Sequence, residues 1–243
     1  MAPMIITMLL LAAVSPADLE TSCNADGAAA CDELGNRVHD GLAVPRNLVR
    51  AAELFRKACK GKNQDGCADA ARALALGEGQ QADPKAALPR LEQMCKSGHA
   101  RACGHLGDLF SRGLGSPQDS TRADGLLAKA CDAGVARACS NLASVLFTGG
   151  SREQAEDLAE KGCDLGDPAG CAYLGDLYAR SNDTVRASLY FSRACEGGFA
   201  HGCAGQGFLL VESGIDPKRG RELLQKGCDG GEAKACKALR ELK

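Results

Sequence analysis

The chain has 243 residues, 29 Lys and Arg against 31 Asp and Glu, and a formal net charge of −2, which excludes the basic excess of a general nucleic-acid binder. Only 4% of its residues are aromatic, none is Trp, and 45% are hydrophobic. A core of this composition rests on Ala and Leu, which favour helices.

The first element reads as an export signal. Met4 to Val14 is an apolar run broken by one Thr, too short to span a bilayer. Ser15-Pro16-Ala17 places small residues at the −3 and −1 positions of a cleavage site ahead of Asp18. Residues 1–17 are therefore expected to be a signal peptide, and 18–243 a single exported domain that is periplasmic or secreted. A buried N-terminal helix is the alternative, favoured by the lack of Lys or Arg in the run. Glu20-Thr21-Ser22 before Cys23 is not a lipoprotein box. A mitochondrial leader would want Arg, and the first is Arg37.

Fourteen cysteines follow, as seven pairs each eight positions apart: Cys23 and Cys31, Cys59 and Cys67, Cys95 and Cys103, Cys131 and Cys139, Cys163 and Cys171, Cys195 and Cys203, Cys228 and Cys236. With an export signal, so many cysteines read as disulfides. No C-x-x-C occurs, and His39, His99, His105 and His201 fall at no ligand spacing, so neither metal nor cofactor is expected.

Successive pairs begin 36, 36, 36, 32, 32 and 33 residues apart, a period that means a solenoid of small units. Three residues after each second cysteine stand Leu34, Ala70, Leu106, Leu142, Leu174 and Gln206; seven after stand Val38, Leu74, Phe110, Leu146, Tyr178 and Leu210. This spacing predicts a helix A with one apolar face, stopped at position ten by Gly41, Gly77, Gly113, Gly149, Ser181 or Ser213. Eight and four residues before the next first cysteine stand Ala51/Phe55, Ala87/Leu91, Ala123/Leu127, Ala155/Ala159, Ala187/Phe191 and Gly220/Leu224, which predict a helix B. Gly98, Gly134, Gly166, Gly198 and Gly231, each three after a first cysteine, are expected to end helix B in the left-handed conformation, with Gly61 one residue early. The units so defined are about 31–66, 67–102, 103–138, 139–170, 171–202 and 203–235, with a capping helix 236–243. The fourth to sixth are shorter in the A-to-B loop, so curvature is expected to change near residue 150.

Two disulfide schemes fit antiparallel helices. One closes each C-x₇-C across the B-to-A turn. The other ties the ends of one repeat, as in Cys139 to Cys163, and would strand Cys23 and Cys236. The constant gap within pairs, against a variable gap between them, favours the first.

The pattern C-x-x-L-G-x-L-(F/Y) resembles the Sel-one-like repeat, a relative of the tetratricopeptide repeat. Cys103-Gly104-His105-Leu106-Gly107-Asp108-Leu109-Phe110 and Cys171-Ala172-Tyr173-Leu174-Gly175-Asp176-Leu177-Tyr178 carry it most cleanly. The C-x₇-C junctions resemble the cysteine-rich Hcp-type subgroup, and the resemblance spans residues 23–243. It implies an all-α, right-handed αα superhelix, disulfides within each C-x₇-C, and a role as an adaptor in protein–protein interaction. Ala70-Ala71 and Gln206 depart from the pattern.

Some Hcp-type proteins are catalogued as penicillin-binding proteins or β-lactamases, which makes a β-lactam hydrolase the alternative function. No Ser has Lys three residues on, and K-T-G and S-D-N are absent. No catalytic residue is nominated. Asn182-Asp183-Thr184 is a glycosylation sequon, read here as a turn.

Positions two, five and nine after the second cysteine share a second face of helix A, the concave side in related solenoids. Within it His105, Asp108, Asn141, Tyr173, Asp176 and Arg180 are the candidate binding residues, with Tyr173 an amphipathic anchor and Arg180 a partner for polar termini. The expected function is an exported, monomeric, non-enzymatic scaffold for a protein or peptide, with no nucleic acid and no membrane span after cleavage. The alternative location is the mitochondrial intermembrane space, as a respiratory-assembly factor.

Overall fold

The computed structural model describes residues 14–42 and 44–242. Most of the apolar run Met4 to Val14, and Lys243 of the expected cap, lie outside the described residues.

Every element among the described residues is helical. A short α1 (Pro16–Asn24) precedes six helix pairs: α2 (Ala28–Asp40) and α3 (Leu48–Lys60); α4 (Gln64–Leu76) and α5 (Pro84–Lys96); α6 (Ala100–Arg112) and α7 (Ser120–Asp132); α8 (Ala136–Thr148) and α9 (Arg152–Asp164); α10 (Pro168–Arg180) and α11 (Thr184–Glu196); α12 (Ala200–Glu212) and α13 (Pro217–Asp229). A lone α14 (Ala233–Glu241) closes the array. Each helix packs on its neighbours in the chain, and each even-numbered helix from α4 to α12 also touches the even-numbered helix before it. The result is an all-α solenoid.

The even-numbered helices from α2 to α14 begin three residues before their cysteine, one turn earlier than the sequence pattern placed them. Cys31 and Cys67, expected to open the first two repeats, therefore lie one turn inside α2 and α4, which start at Ala28 and Gln64. The same correction applies to Cys103, Cys139, Cys171, Cys203 and Cys236. Its cause is the turn before each helix, which needs only the few residues after the first cysteine and leaves the rest free to join the helix. The cleavage point expected after Ala17 falls inside α1, whose cap is Ser15: Ser15 Oγ accepts from the Asp18 N–H while the Asp18 carboxylate accepts from the Ser15 N–H.

Seven disulfides join the cysteines two by two in chain order: Cys23–Cys31, Cys59–Cys67, Cys95–Cys103, Cys131–Cys139, Cys163–Cys171, Cys195–Cys203 and Cys228–Cys236, with Cα–Cα separations of 4.4 to 4.7 Å. Each closes a B-to-A turn, and Cys139 and Cys163 are not partners. In the chain-entropy account a loop of this size stabilises by about 2–3 kcal/mol, which helps a core poor in aromatics. The bridges are not equally enclosed: Cys31 is fully buried, whereas Cys67 is only half-buried.

The third residue after each first cysteine takes the left-handed conformation in all seven turns. Glycine serves at Gly98, Gly134, Gly166, Gly198 and Gly231, while Asp26 (φ 63°) and Lys62 (φ 64°) serve in the first two. Gly61, at φ −76°, is not the left-handed residue. In the A-to-B loops Gly41, Gly77 and Gly113 stop their helices in that conformation. Gly149, Ser181 and Ser213 do not, and the turn moves one residue on to Gly150, Asn182 and Gly214. These loops shorten from 41–47, 77–83 and 113–119 to 149–151, 181–183 and 213–216.

The Leu-Gly step of the pattern has a packing cause. A Cβ on Gly35 would lie 2.7 Å from Phe55 Cε1, on Gly107 2.8 Å from Leu127 Cγ, and on Gly175 2.5 Å from Phe191 Cδ1. The glycine admits the large residue that the following helix presents four positions before its cysteine. Where Ala143 stands instead, the facing residue is the small Ala159. Ala51, Ala87, Ala123, Ala155 and Ala187 are all at most 1% exposed and let the helices approach closely.

Candidate functional site

The even-numbered helices turn one face inward around a chamber of about 720 Å³. The array curves far enough for the loop after α2 to meet the turn between α11 and α12. Leu42, just after α2, packs on the bare backbone of Gly198 before α12, where any Cβ would overlap Leu42 Cδ2. Beneath that contact Arg137 Nη2 of α8 lies 3.4 Å from Asp40 Oδ1 of α2.

A charged network lies behind one wall and reaches it at His105, Arg72, Glu78, His39 and Asp40. Asp69, 3% exposed, accepts from Arg101 Nη1 at 2.8 Å, and His105 Nε2 lies 2.8 Å from its other oxygen. Burial works to raise the Asp69 carboxyl, but the bond from His105 and the charges of His105, Arg101 and Arg72 hold it far below the carboxylate range. Arg101 also reaches Asp32 Oδ2 at 3.3 Å, so one guanidinium on α6 ties α4 and α2. Asp32 is pushed up to about 7, first by burial and then by the charge of Asp69, against the pull of Arg101. Its Oδ1 is buried with no hydrogen-bond partner among the described residues.

The network continues toward the chamber. Glu78 Oε2 lies 2.8 Å from Arg72 Nη1, and Glu78 Oε1 lies 3.3 Å from His39 Nε2. Burial opposes ionisation of Glu78, yet the His39 bond and the Arg72 charge bring it down to about 2. His39 Nδ1 sits 2.6 Å from Asp40, and despite burial the two carboxylates raise its pKa. His105 behaves oppositely: burial lowers it in spite of Asp69. His201 Nε2 lies 2.9 Å from Asp176 and its Nδ1 3.4 Å from Glu232, and the Asp176 bond leads in raising it. This wall presents fixed charges and hydrogen-bonding edges to whatever enters.

Of the six residues expected to bind, His105, Asp108 and Asn141 line the chamber together. Asp108 holds Arg112 Nε at 2.9 Å. Asp176 stands behind His201, which is itself at the wall. Tyr173 and Arg180 are not at the wall. The Tyr173 ring packs edge-on against Phe147 of α8, with centroids 5.6 Å apart, and Arg180 is at the end of α10, away from the chamber.

Asp32, His39, Arg101, Arg137, Asp167 and His201 escaped the sequence reading. Arg101, Arg137 and His201 stand two residues before their cysteines, and starting each helix one turn earlier puts them in register with His105, Asn141 and Gly205 at i+4. Among the described residues no cluster of three or more His, Cys, Asp or Glu is placed to hold a metal ion. No described helix is long and apolar enough to cross a membrane.

The Sel1 repeat family model matches residues 28–63, 100–135, 136–167, 168–199 and 203–232, more than half of the chain. The stretch between the first two matches holds α4 and α5, where Ala70-Ala71 replaces Leu-Gly. No curated protein matches. Solved structures show the same fold. A protective antigen of uropathogenic Escherichia coli with an SLR fold is 22% identical at a TM-score of 0.65; the match covers 93% of this chain, which spans about half (51%) of the antigen. A Sel1 repeat protein from Oxalobacter formigenes is 19% identical at 0.63, covering 94% of this chain and 70% of its own. An immunity protein from Pseudomonas aeruginosa is 17% identical at 0.61, covering 84% and 83%.

Proposed function

The chain belongs to the Sel1 repeat family, and from that premise we propose that it is an exported, non-enzymatic adaptor that holds a protein or peptide segment in its concave chamber. Sel1 repeat scaffolds serve protein–protein interaction at a general level. The observation that supports the finer reading is the chamber itself: about 720 Å³, lined by ion-paired side chains such as Arg72, Glu78, Asp108 and Arg112. A concave volume of that size with convergent polar groups is what a ligand segment needs.

Seven disulfides suit an oxidising compartment, periplasmic or extracellular. The leader 1–17 supports delivery there, and N-terminal sequencing of the exported protein should find Asp18 first. No observation favours β-lactam hydrolysis. The serine hydroxyls that donate bonds do so to carboxylates or backbone carbonyls, not to a lysine or histidine base.

The test is affinity capture from the exported fraction under oxidising conditions, read by mass spectrometry. Wild type and a control changed on the outer face, Val185→Ser, should retain the same protein; Asp108→Arg and Asn141→Arg should lose it while melting normally. Equal capture by all four would remove the concave face from consideration. Turnover of a chromogenic cephalosporin by metal-checked protein would instead establish the hydrolase.

A further inference from the structure

Asp167 caps α10, but not in the usual way. Asp83, Asp119, Asp183 and Asp216 cap their helices by accepting a backbone N–H, and Asp167 makes no such bond. Its side chain is turned into the chamber wall instead. The residue is 5% exposed, and its Oδ2 is buried with no hydrogen-bond partner among the described residues. A buried carboxylate oxygen without a donor costs free energy unless something supplies one.

Most of the chamber's other buried charges have an ionic partner. Arg72 is held by Glu78 and Arg112 by Asp108, while Arg137 leans toward Asp40. The Asp167 charge is felt by Arg137, but no bond joins the two. Arg46, Lys226 and Asp229 are exposed, with Arg46 Nε donating to the His39 carbonyl. Asp167 is left as the buried acid of the chamber to which no described side chain is bonded. In the same chamber Pro168, Phe199, Val44 and Leu76 give apolar surface along which a methylene stem can lie.

We propose that the chamber is a receptor for a basic side chain, Arg or Lys, presented by the bound protein or peptide, with the unpartnered Asp167 carboxylate as its counter-ion. This rests on the concave-face reading and names the chemistry recognised there. The ligand's cation supplies the missing donors, and its stem replaces water against Pro168 and Phe199. Arg suits the site better than Lys, because its planar fork can serve Asp167 and a second acceptor together.

The experiment uses the full oxidised chain and four blocked tripeptides, acetyl-Ala-X-Ala-amide with X as arginine, lysine, citrulline or glutamate, titrated by NMR. Arginine should bind about tenfold or more tighter than its neutral isostere citrulline, with lysine between them and glutamate weakest. Asp167→Asn removes the buried charge and breaks no capping bond, so the variant should melt no lower than wild type while the arginine preference over citrulline disappears. Equal affinity for arginine and citrulline, a preference for glutamate, or an undiminished preference in Asp167→Asn would each overturn the proposal. So would the absence of binding by all four tripeptides; partner capture sensitive to Asp108 and Asn141 would then leave the concave face as a binding surface of different chemistry.

Discussion

Replacing Gly175 by Ala should destabilise the fold, although Ala is the better helix former. In an open helical position the exchange gains about 1 kcal/mol. At Gly175 the new methyl would lie 2.5 Å from Phe191 Cδ1, 2.7 Å from Cε1 and 2.8 Å from Cγ. The ring is 3% exposed and Gly205 also packs on it: a Cβ there would meet Phe191 Cδ1 at 2.6 Å, so little space is left for the ring to move. Overpacking of this kind costs about 1–3 kcal/mol. With a buried ring packed against both glycines the upper part of that range applies, so Gly175→Ala should lose about 1–2 kcal/mol net of the propensity gain. The matched control is Gly125→Ala in α7, where no heavy atom lies within 4 Å of the new methyl, and which should gain about 1 kcal/mol. Urea unfolding of the oxidised protein, followed by circular dichroism, gives both values. In a Phe191→Leu background the Gly175→Ala penalty should shrink to about 0.5 kcal/mol or less, a coupling that a double-mutant cycle isolates. If Gly175→Ala stabilises as Gly125→Ala does, or costs as much in the Phe191→Leu background as in the wild type, the account of the Leu-Gly step is wrong.

Lys62 occupies a left-handed position at φ 64°, where an L side chain costs about 1 kcal/mol, so Lys62→Gly should raise the melting temperature, whereas Lys57→Gly inside α3 should lower it. Asp32 is pushed up to about 7 in the fold against an ordinary 3.8, so the folded state binds the extra proton. Stability from this group therefore falls as pH rises from about 4 to 7, and Asp32→Asn should melt above wild type at pH 8 while the difference closes at pH 4. The histidines should divide in an NMR titration: His201 and His39 above the ordinary 6.5 and His105 below it. Because His201 is raised, its contribution is full below 6.5 and lost as pH climbs through its folded value, so His201→Gln should cost stability at pH 6 more than at pH 9.

The helices were legible because their causes are local. Ala, Leu and Phe recur at helical spacing, and glycine marks five of the seven B-to-A turns. Asp26 and Lys62 hid the other two, since neither residue announces a positive φ. The starts of the even-numbered helices were not legible. Their caps are Gly27, Asn63, His99, Val135, Asp167, Phe199 and Glu232, a set with no common chemistry, so cysteines such as Cys31 and Cys67 looked like the openings of their helices. The missing turn carried Arg101, Arg137 and His201 away from the binding stripe. Tyr173 shares the stripe by periodicity, yet it is off the chamber wall and its ring packs edge-on against Phe147 of another repeat. Nothing local could reveal the chamber, which exists because positions 42 and 198 meet after five repeats of accumulated rotation.

That meeting sets this solenoid apart from an open one. An open array tolerates duplication or loss of a unit, because each repeat answers only to its neighbours. Here Leu42 must arrive at Gly198 and Asp40 at Arg137, so the number of repeats between them is a closure condition, like the count of staves in a hoop. Deleting the unit 136–167 would keep every junction chemically sound and still leave the hoop unable to shut. Selection on the chamber therefore acts on the length of the array between α2 and the turn before α12.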